Sequence, residues 1–77
     1  MKAIDDLITE LALARRNFPP FNTAHEGYAV LYEEVDELWD EVKKSPAKRD
    51  LVKMRAEAIQ VAAMAIRVVL DCCDKDE

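Results

Sequence analysis

A chain of 77 residues with a formal net charge of −5, three Pro and one Gly holds one domain at most, close to the size at which a single core is only marginally stable alone. The scarcity of Gly and Pro beside abundant Ala, Leu, Glu and Lys favours helices over strands. The acidic balance argues against general affinity for nucleic acid or for an anionic membrane.

In chain order, Met1-Lys2 leads straight into Asp5-Asp6, so no signal peptide is read at this end. A first helix is expected from about Lys2 to Arg16, with Ile4, Leu7, Ile8, Leu11 and Ala14 as its apolar stripe. Asp5 and Asp6 suit its positive end, and Arg15 and Arg16 its negative end. Asn17-Phe18-Pro19-Pro20-Phe21-Asn22 stops it, because tandem prolines cannot continue a helix. A second helix, capped by Asn22 or Thr23, should run to near Lys44. Its apolar face reads Tyr28, Leu31, Val35, Leu38 and Val42, flanked by Tyr32 and Trp39. At 100° per residue, Glu34 and Glu41 border that face and Glu37 lies slightly farther round. Glu33, Asp36 and Asp40 turn to solvent.

Ser45-Pro46 marks a turn and restart, with Ser45 as cap. A third helix is expected from Pro46 or Ala47 to near Asp71, followed by a frayed acidic tail over Asp74–Glu77. From Ala56 onward it is apolar on nearly every side. A helix of that kind must be surrounded, and two partner helices in so short a chain cannot surround it. A second subunit is therefore expected to complete the bundle. The apolar stretch 58–70 is interrupted by Gln60 and Arg67 and is too short to cross a bilayer. Cys72 and Cys73 are adjacent, a poor fit to an ordinary disulfide, which points to a reduced, cytoplasmic protein.

Glu57, Gln60, Arg67 and Asp71 recur at spacings of three, seven and four, so a thin polar stripe runs along this otherwise apolar helix. Buried polar groups without partners cost roughly 2–7 kcal/mol each, depending on the reference state. A cation bridging to a facing helix would explain the stripe. Glu34 and Glu37 stack on adjacent turns, and Glu57 and Gln60 repeat their spacing. An antiparallel hairpin would bring the two pairs together. Mg²⁺ prefers oxygen ligands and commonly combines one or two carboxylates with substrate phosphates.

Glu33-Glu34-Val35-Asp36-Glu37-Leu38, with nineteen residues between Glu37 and Glu57-Ala58-Ile59-Gln60, resembles the MazG-like all-α nucleoside triphosphate pyrophosphohydrolases. That family pairs ExxE on one helix with ExxD on the next, and the resemblance covers residues 23–71. It implies an oligomeric helical bundle, dimer or tetramer, with Mg²⁺ (Mn²⁺ as the alternative ion) on the acid pairs. It also implies cleavage of a nucleoside triphosphate between the α and β phosphates, giving monophosphate and pyrophosphate. Glu34, Glu37 and Glu57 match the first three metal-binding acids, with Glu34 and Glu37 as the catalytic pair. Gln60 stands where an Asp is expected, and Val30 where a Lys is common.

Each residue also has a plainer role open to it. Glu41 stays undecided between site and surface. Glu57 can be a surface acid paired with Lys53 or Arg67, and Gln60 an amide satisfied by the core or by a subunit contact. Arg67 and Lys53 are candidate phosphate contacts, but Arg67 can equally pair with Asp71. Phe21 and Phe18 are candidates to line a base pocket. His25 is a candidate substrate contact or a surface or capping residue. Tyr28, Tyr32 and Trp39 read as core or interface aromatics. The function expected is thus Mg²⁺-dependent pyrophosphohydrolysis. The alternatives are a catalytically degenerate bundle serving nucleotide binding or protein interaction, and a purely structural oligomer.

Overall fold

A computed structural model of the chain describes residues 1–74. Three helices carry the fold: α1 (Lys2–Asn17), α2 (Ala24–Val42) and α3 (Leu51–Val68), with no strand among the described residues. The prolines end α1 as expected. Phe18 turns extended ahead of Pro19, and its N–H still donates to the Ala14 carbonyl. Thr23 caps α2 by accepting from the Glu26 N–H, while the Glu26 carboxylate accepts from the Asn22 N–H.

The expected start of the third helix is corrected. Pro46–Lys48 form only a 3₁₀ turn, Ser45 makes no side-chain cap, and α3 begins at Leu51. Two contacts dictate this. The Asp50 carboxylate accepts from the Val52 and Lys53 N–H groups, satisfying two of the helix's orphan donors. The Arg49 guanidinium reaches back to the Val42 carbonyl at 2.7 and 3.1 Å, from an extended backbone that no continuous helix would provide. Beyond Val68 the helix widens into a π turn over Val69–Cys73, and Asp74 closes it through its N–H to the Val69 carbonyl. Of the tail expected to fray over Asp74–Glu77, all but Asp74 lies outside the described residues.

α1 and α2 both pack on α3 rather than on one another. α2 runs antiparallel to α3, since Gly27 meets Val68 at one end and Glu41 meets Lys53 at the other. α1 runs parallel to α3, pairing Asp6 with Arg55 and Glu10 with Gln60. The core is small: Ala14, Phe21, Ala63 and Met64, with Leu7, Val30, Leu31, Val68 and Cys72 packed around it. Cys72 and Cys73 are free thiols, and the Cys72 Sγ lies 3.7 Å from the Thr23 carbonyl.

The inward face of α2 differs from the one read in the sequence. Gly27 and Glu41 are buried and Val30, Leu31, Glu34, Leu38 and Val42 half-buried, whereas Tyr28, Tyr32, Val35 and Trp39 are exposed. The helix is thus rotated so that Gly27, Glu34 and Glu41 turn inward with Val30, Leu31, Leu38 and Val42, and the aromatics turn out. Gly27 permits the approach. A Cβ there would stand 3.1 Å from both the Phe21 ring and the Val68 side chain. The stripe of α1 is likewise only partly covered, with Leu7 and Leu11 half-buried but Ile4 and Ile8 exposed. On α3, Ala63 is wholly buried, yet Ile66, and Val69 in the π turn that follows, remain exposed. Among the described residues, no helix is long and apolar enough to cross a membrane.

Candidate metal and nucleotide site

The antiparallel hairpin brings Glu34 and Glu37 of α2 against Glu57 of α3. One carboxylate oxygen from each lies within 4.8 Å of the other two. Glu34 is half-buried because the rotation of α2 faces it inward, Glu57 is half-buried at the edge of the apolar run, and Glu37 is exposed. Burial, followed by repulsion from Glu37 and then from Glu57 and Glu33, raises the Glu34 pKa to about 7. Glu57 is raised as well, chiefly by burial and then by Glu37, with Lys53 opposing. Glu37 is the neighbour common to both. Acidic residues gather on many helical surfaces without consequence. Here two of the three are drawn partly out of water beside Glu37, which favours the protonated form of both.

The donor set fits a hard cation: three carboxylates from two facing helices, with sulfur and imidazole absent from the cluster. Glu41 is not a member. It is 4% exposed, accepts from Lys44 at 2.9 Å and pairs with Lys53 at 3.4 Å. The Lys44 hydrogen bond, with help from Lys53, holds its pKa below the usual carboxylate value. Lys53 is therefore engaged with Glu41. Glu57 forms no ion pair among the described residues, so neither partner considered for it, Lys53 or Arg67, is in place. Glu33, Asp36 and Asp40 lie exposed on the outer face, and Asp40 pairs there with Lys43.

Beside the cluster opens a cavity of about 320 Å³, lined by Glu34 and Val30 of α2, Gln60, Met64 and Arg67 of α3, and Glu10, Leu13, Ala14, Asn17 and Phe18 at α1 and its end. Its volume lies at the lower end of the range for small-molecule pockets. Gln60 donates through Nε2 to a Glu10 carboxylate oxygen at 2.7 Å. Arg67 is 4% exposed. Its Nη2 donates to the Pro19 carbonyl at 3.1 Å, its Nη1 meets the Met64 sulfur at 3.6 Å, and its guanidinium lies 4.1 Å from the centre of the Phe21 ring. Its Nε has no acceptor among the described residues.

The expected pair between Arg67 and Asp71 is replaced by another contact. The Asp71 carboxylate instead accepts from the Phe21 N–H at 3.1 Å, tying the proline loop to the end of the bundle. Arg67 is thus a buried cation with no carboxylate partner among the described residues. Phe18 lines the cavity, whereas Phe21 is buried behind Arg67. His25 is exposed near Tyr28 and does not line the cavity.

Glu10 is the site residue that sequence reading passed over. It sits three residues after Leu7 and four before Ala14, on the flank of the stripe, and that spacing alone turns it toward α3. Comparison with known proteins adds no further assignment, as no family model, curated protein or solved structure matches the chain.

Proposed function

We propose that the protein is a Mg²⁺-dependent nucleoside triphosphate pyrophosphohydrolase, releasing a nucleoside monophosphate and pyrophosphate by addition of one water. The observation that carries this reading is the convergence of Glu34, Glu37 and Glu57 beside a cavity that Glu34 shares with Arg67, a buried arginine with no carboxylate partner among the described residues. Three acids alone would be a poor argument. Acids at one end and a cation without a counter-ion in the wall are what a metal-bound anionic ligand needs.

In this reading Glu34, Glu37 and Glu57 hold Mg²⁺ or Mn²⁺, with the Gln60 amide oxygen completing the shell. The ion supplies charge neutralisation of the phosphates and a water acidic enough to attack near neutral pH. Arg67 supplies fixed positive charge to a ligand oxygen from a wall already dry, where it acts more strongly than it would in bulk water. Leu13, Val30, Met64 and Phe18 offer an apolar lining to the flat part of the ligand. The working unit is a homodimer or tetramer, since Tyr28, Tyr32, Val35 and Trp39 form an exposed stripe at spacings of four, three and four along α2. The resemblance of the acid motifs to the MazG-like family supports the same reading.

Gln60 favours a second reading, an oligomer that binds nucleotide or a protein partner without cleaving. An amide replaces one carboxylate of the metal set, and its N–H is engaged by Glu10. One assay separates the two. The purified protein is incubated with a panel of nucleoside triphosphates and Mg²⁺ or Mn²⁺, and pyrophosphate is measured, with Glu37→Gln as control. Release that disappears in the control is the expected result. Absence of release, with a metal-dependent rise in Tm on adding nucleotide, would establish the binding module instead. Neither response would leave a structural oligomer.

A further inference from the structure

We propose that Glu10 is a positioning residue for this metal site: its carboxylate holds the Gln60 amide so that the amide oxygen, not its nitrogen, faces a cation on Glu34, Glu37 and Glu57. The proposal rests on the metal reading above and deepens it. Its starting point is the 2.7 Å hydrogen bond from Gln60 Nε2 to Glu10 Oε2, which joins α1 to α3 across the wall of the cavity.

An ionised carboxylate has no hydrogen to give, so it can only accept, whereas an amide has one donating and one accepting end. Glu10 therefore fixes which way the Gln60 amide is turned. With the nitrogen committed, the carbonyl is the end left to meet a cation beside Glu34, which lines the same cavity. Binding the N–H to an anion also shifts amide electron density toward the oxygen and makes it a better ligand. The arrangement is the amide counterpart of a carboxylate orienting a metal-bound histidine. Without Glu10, two amide orientations differing by a half-turn would compete, and one of them would present hydrogens to the ion.

Two features make this more than a chance contact. Leu7, Leu11 and Ala14 pack α1 onto the bundle, so Glu10 is held at its place rather than sampling solvent. Arg67, a buried guanidinium whose Nε has no acceptor among the described residues, lines the cavity with Glu10, Glu34 and Gln60 and independently marks it as a place where an anionic ligand belongs. Glu10 also restores near position 60 the negative charge that an amide lacks. It does so from another helix.

The test is calorimetric titration of the purified protein with Mn²⁺ alone, comparing wild type, Glu10→Met, Glu10→Gln, Gln60→Asp and the double variant Glu10→Met/Gln60→Asp. Loss of an outer partner of this kind weakens metal binding by about 10–100-fold, so Glu10→Met is expected to lose at least about ten-fold. Glu10→Gln keeps an accepting oxygen and should recover part of that loss. In the Gln60→Asp background no amide remains to be turned, and Glu10→Met should then change affinity by less than about two-fold, the coupling having vanished.

Wild-type affinity in Glu10→Met, with binding still abolished by Glu57→Gln, would overturn the proposal and leave the metal reading intact. So would an equal loss in both backgrounds, which would reduce Glu10 to a distant charge. No Mn²⁺ binding by the wild type would overturn both.

Discussion

The Glu34 carboxyl holds its proton up to about pH 7 because it is partly buried and faces Glu37 and Glu57. Its ordinary value is 4.5. Between those values the folded chain binds more protons than the unfolded chain, so stability falls as pH rises through the window. Glu57 is shifted in the same direction. Asp6 and Glu41 are shifted downward by Arg55 and Lys44, so what they contribute is lost only as pH falls below the ordinary carboxylate range. Metal-free protein should therefore melt a few degrees lower at pH 8 than at pH 5.5, and Glu34→Gln should flatten that slope. A calorimetric scan series checks it, and an unchanged slope in the variant would count against the shift. Arg67 supplies the second prediction. Its burial without a carboxylate partner implies that an apolar side chain of similar length folds about as well. Arg67→Met should stay within about 1 kcal/mol of wild type in urea unfolding, yet lose nucleotide binding measured by thermal shift. A large loss of stability with intact binding would make Arg67 a purely structural residue.

At the scale of elements, periodicity and capping made the helices legible, and the departures have physical causes. The tandem prolines and Thr23 place the end of α1 and the start of α2 close to where spacing puts them. The start of α3 was harder to read because Ser45-Pro46 has the pattern of a cap and first turn, whereas the residue that caps the helix is Asp50, five positions on. The choice between them depends on the bond from Arg49 to the Val42 carbonyl, a contact that propensity cannot foresee. The rotation of α2 escaped for a related reason. Hydrophobicity alone favours Tyr28 and Val35 as inward residues, whereas the close approach that Gly27 allows turns Glu34 and Glu41 toward α3 instead. Glu34, Glu37 and Glu57 were legible as a group because ExxE and its partner three residues before Gln60 need only an antiparallel hairpin to meet. Glu10 was not, because it belongs to a helix outside that hairpin. Asp50→Ala should cost about 1 kcal/mol in chemical denaturation, the usual worth of a cap with two N–H bonds. Ser45→Ala should cost nothing measurable. The reverse order would restore the longer helix.

At the scale of the molecule, the single chain carries more surface than its mass warrants. Its accessible area is 5630 Å², whereas a folded 8.8 kDa monomer is expected near about 4,800 Å². The chain is also long and thin, 47 × 27 × 18 Å. Tyr28 at 63% and Trp39 at 56% exposure, with Tyr32 and Val35 between them, form a coherent exposed apolar stripe, the face on which the proposed self-association would rest. Tm should therefore rise with protein concentration, as it does when folding is coupled to association. Trp39→Glu should abolish that dependence and give a monomer by sedimentation equilibrium. A wild type that sediments as a monomer at micromolar concentration would defeat the oligomer argument.

The central claim is that Glu34, Glu37 and Glu57 form a cation site whose place is taken by protons when the cation is absent. The most direct measurement is a carboxyl-carbon NMR titration of Glu34 with and without Mg²⁺. Without metal, Glu34 should titrate near pH 7. With saturating Mg²⁺ its titration should drop well below that value, with protons released on binding. A Glu34 that titrates in the ordinary carboxylate range and ignores Mg²⁺ would contradict the account.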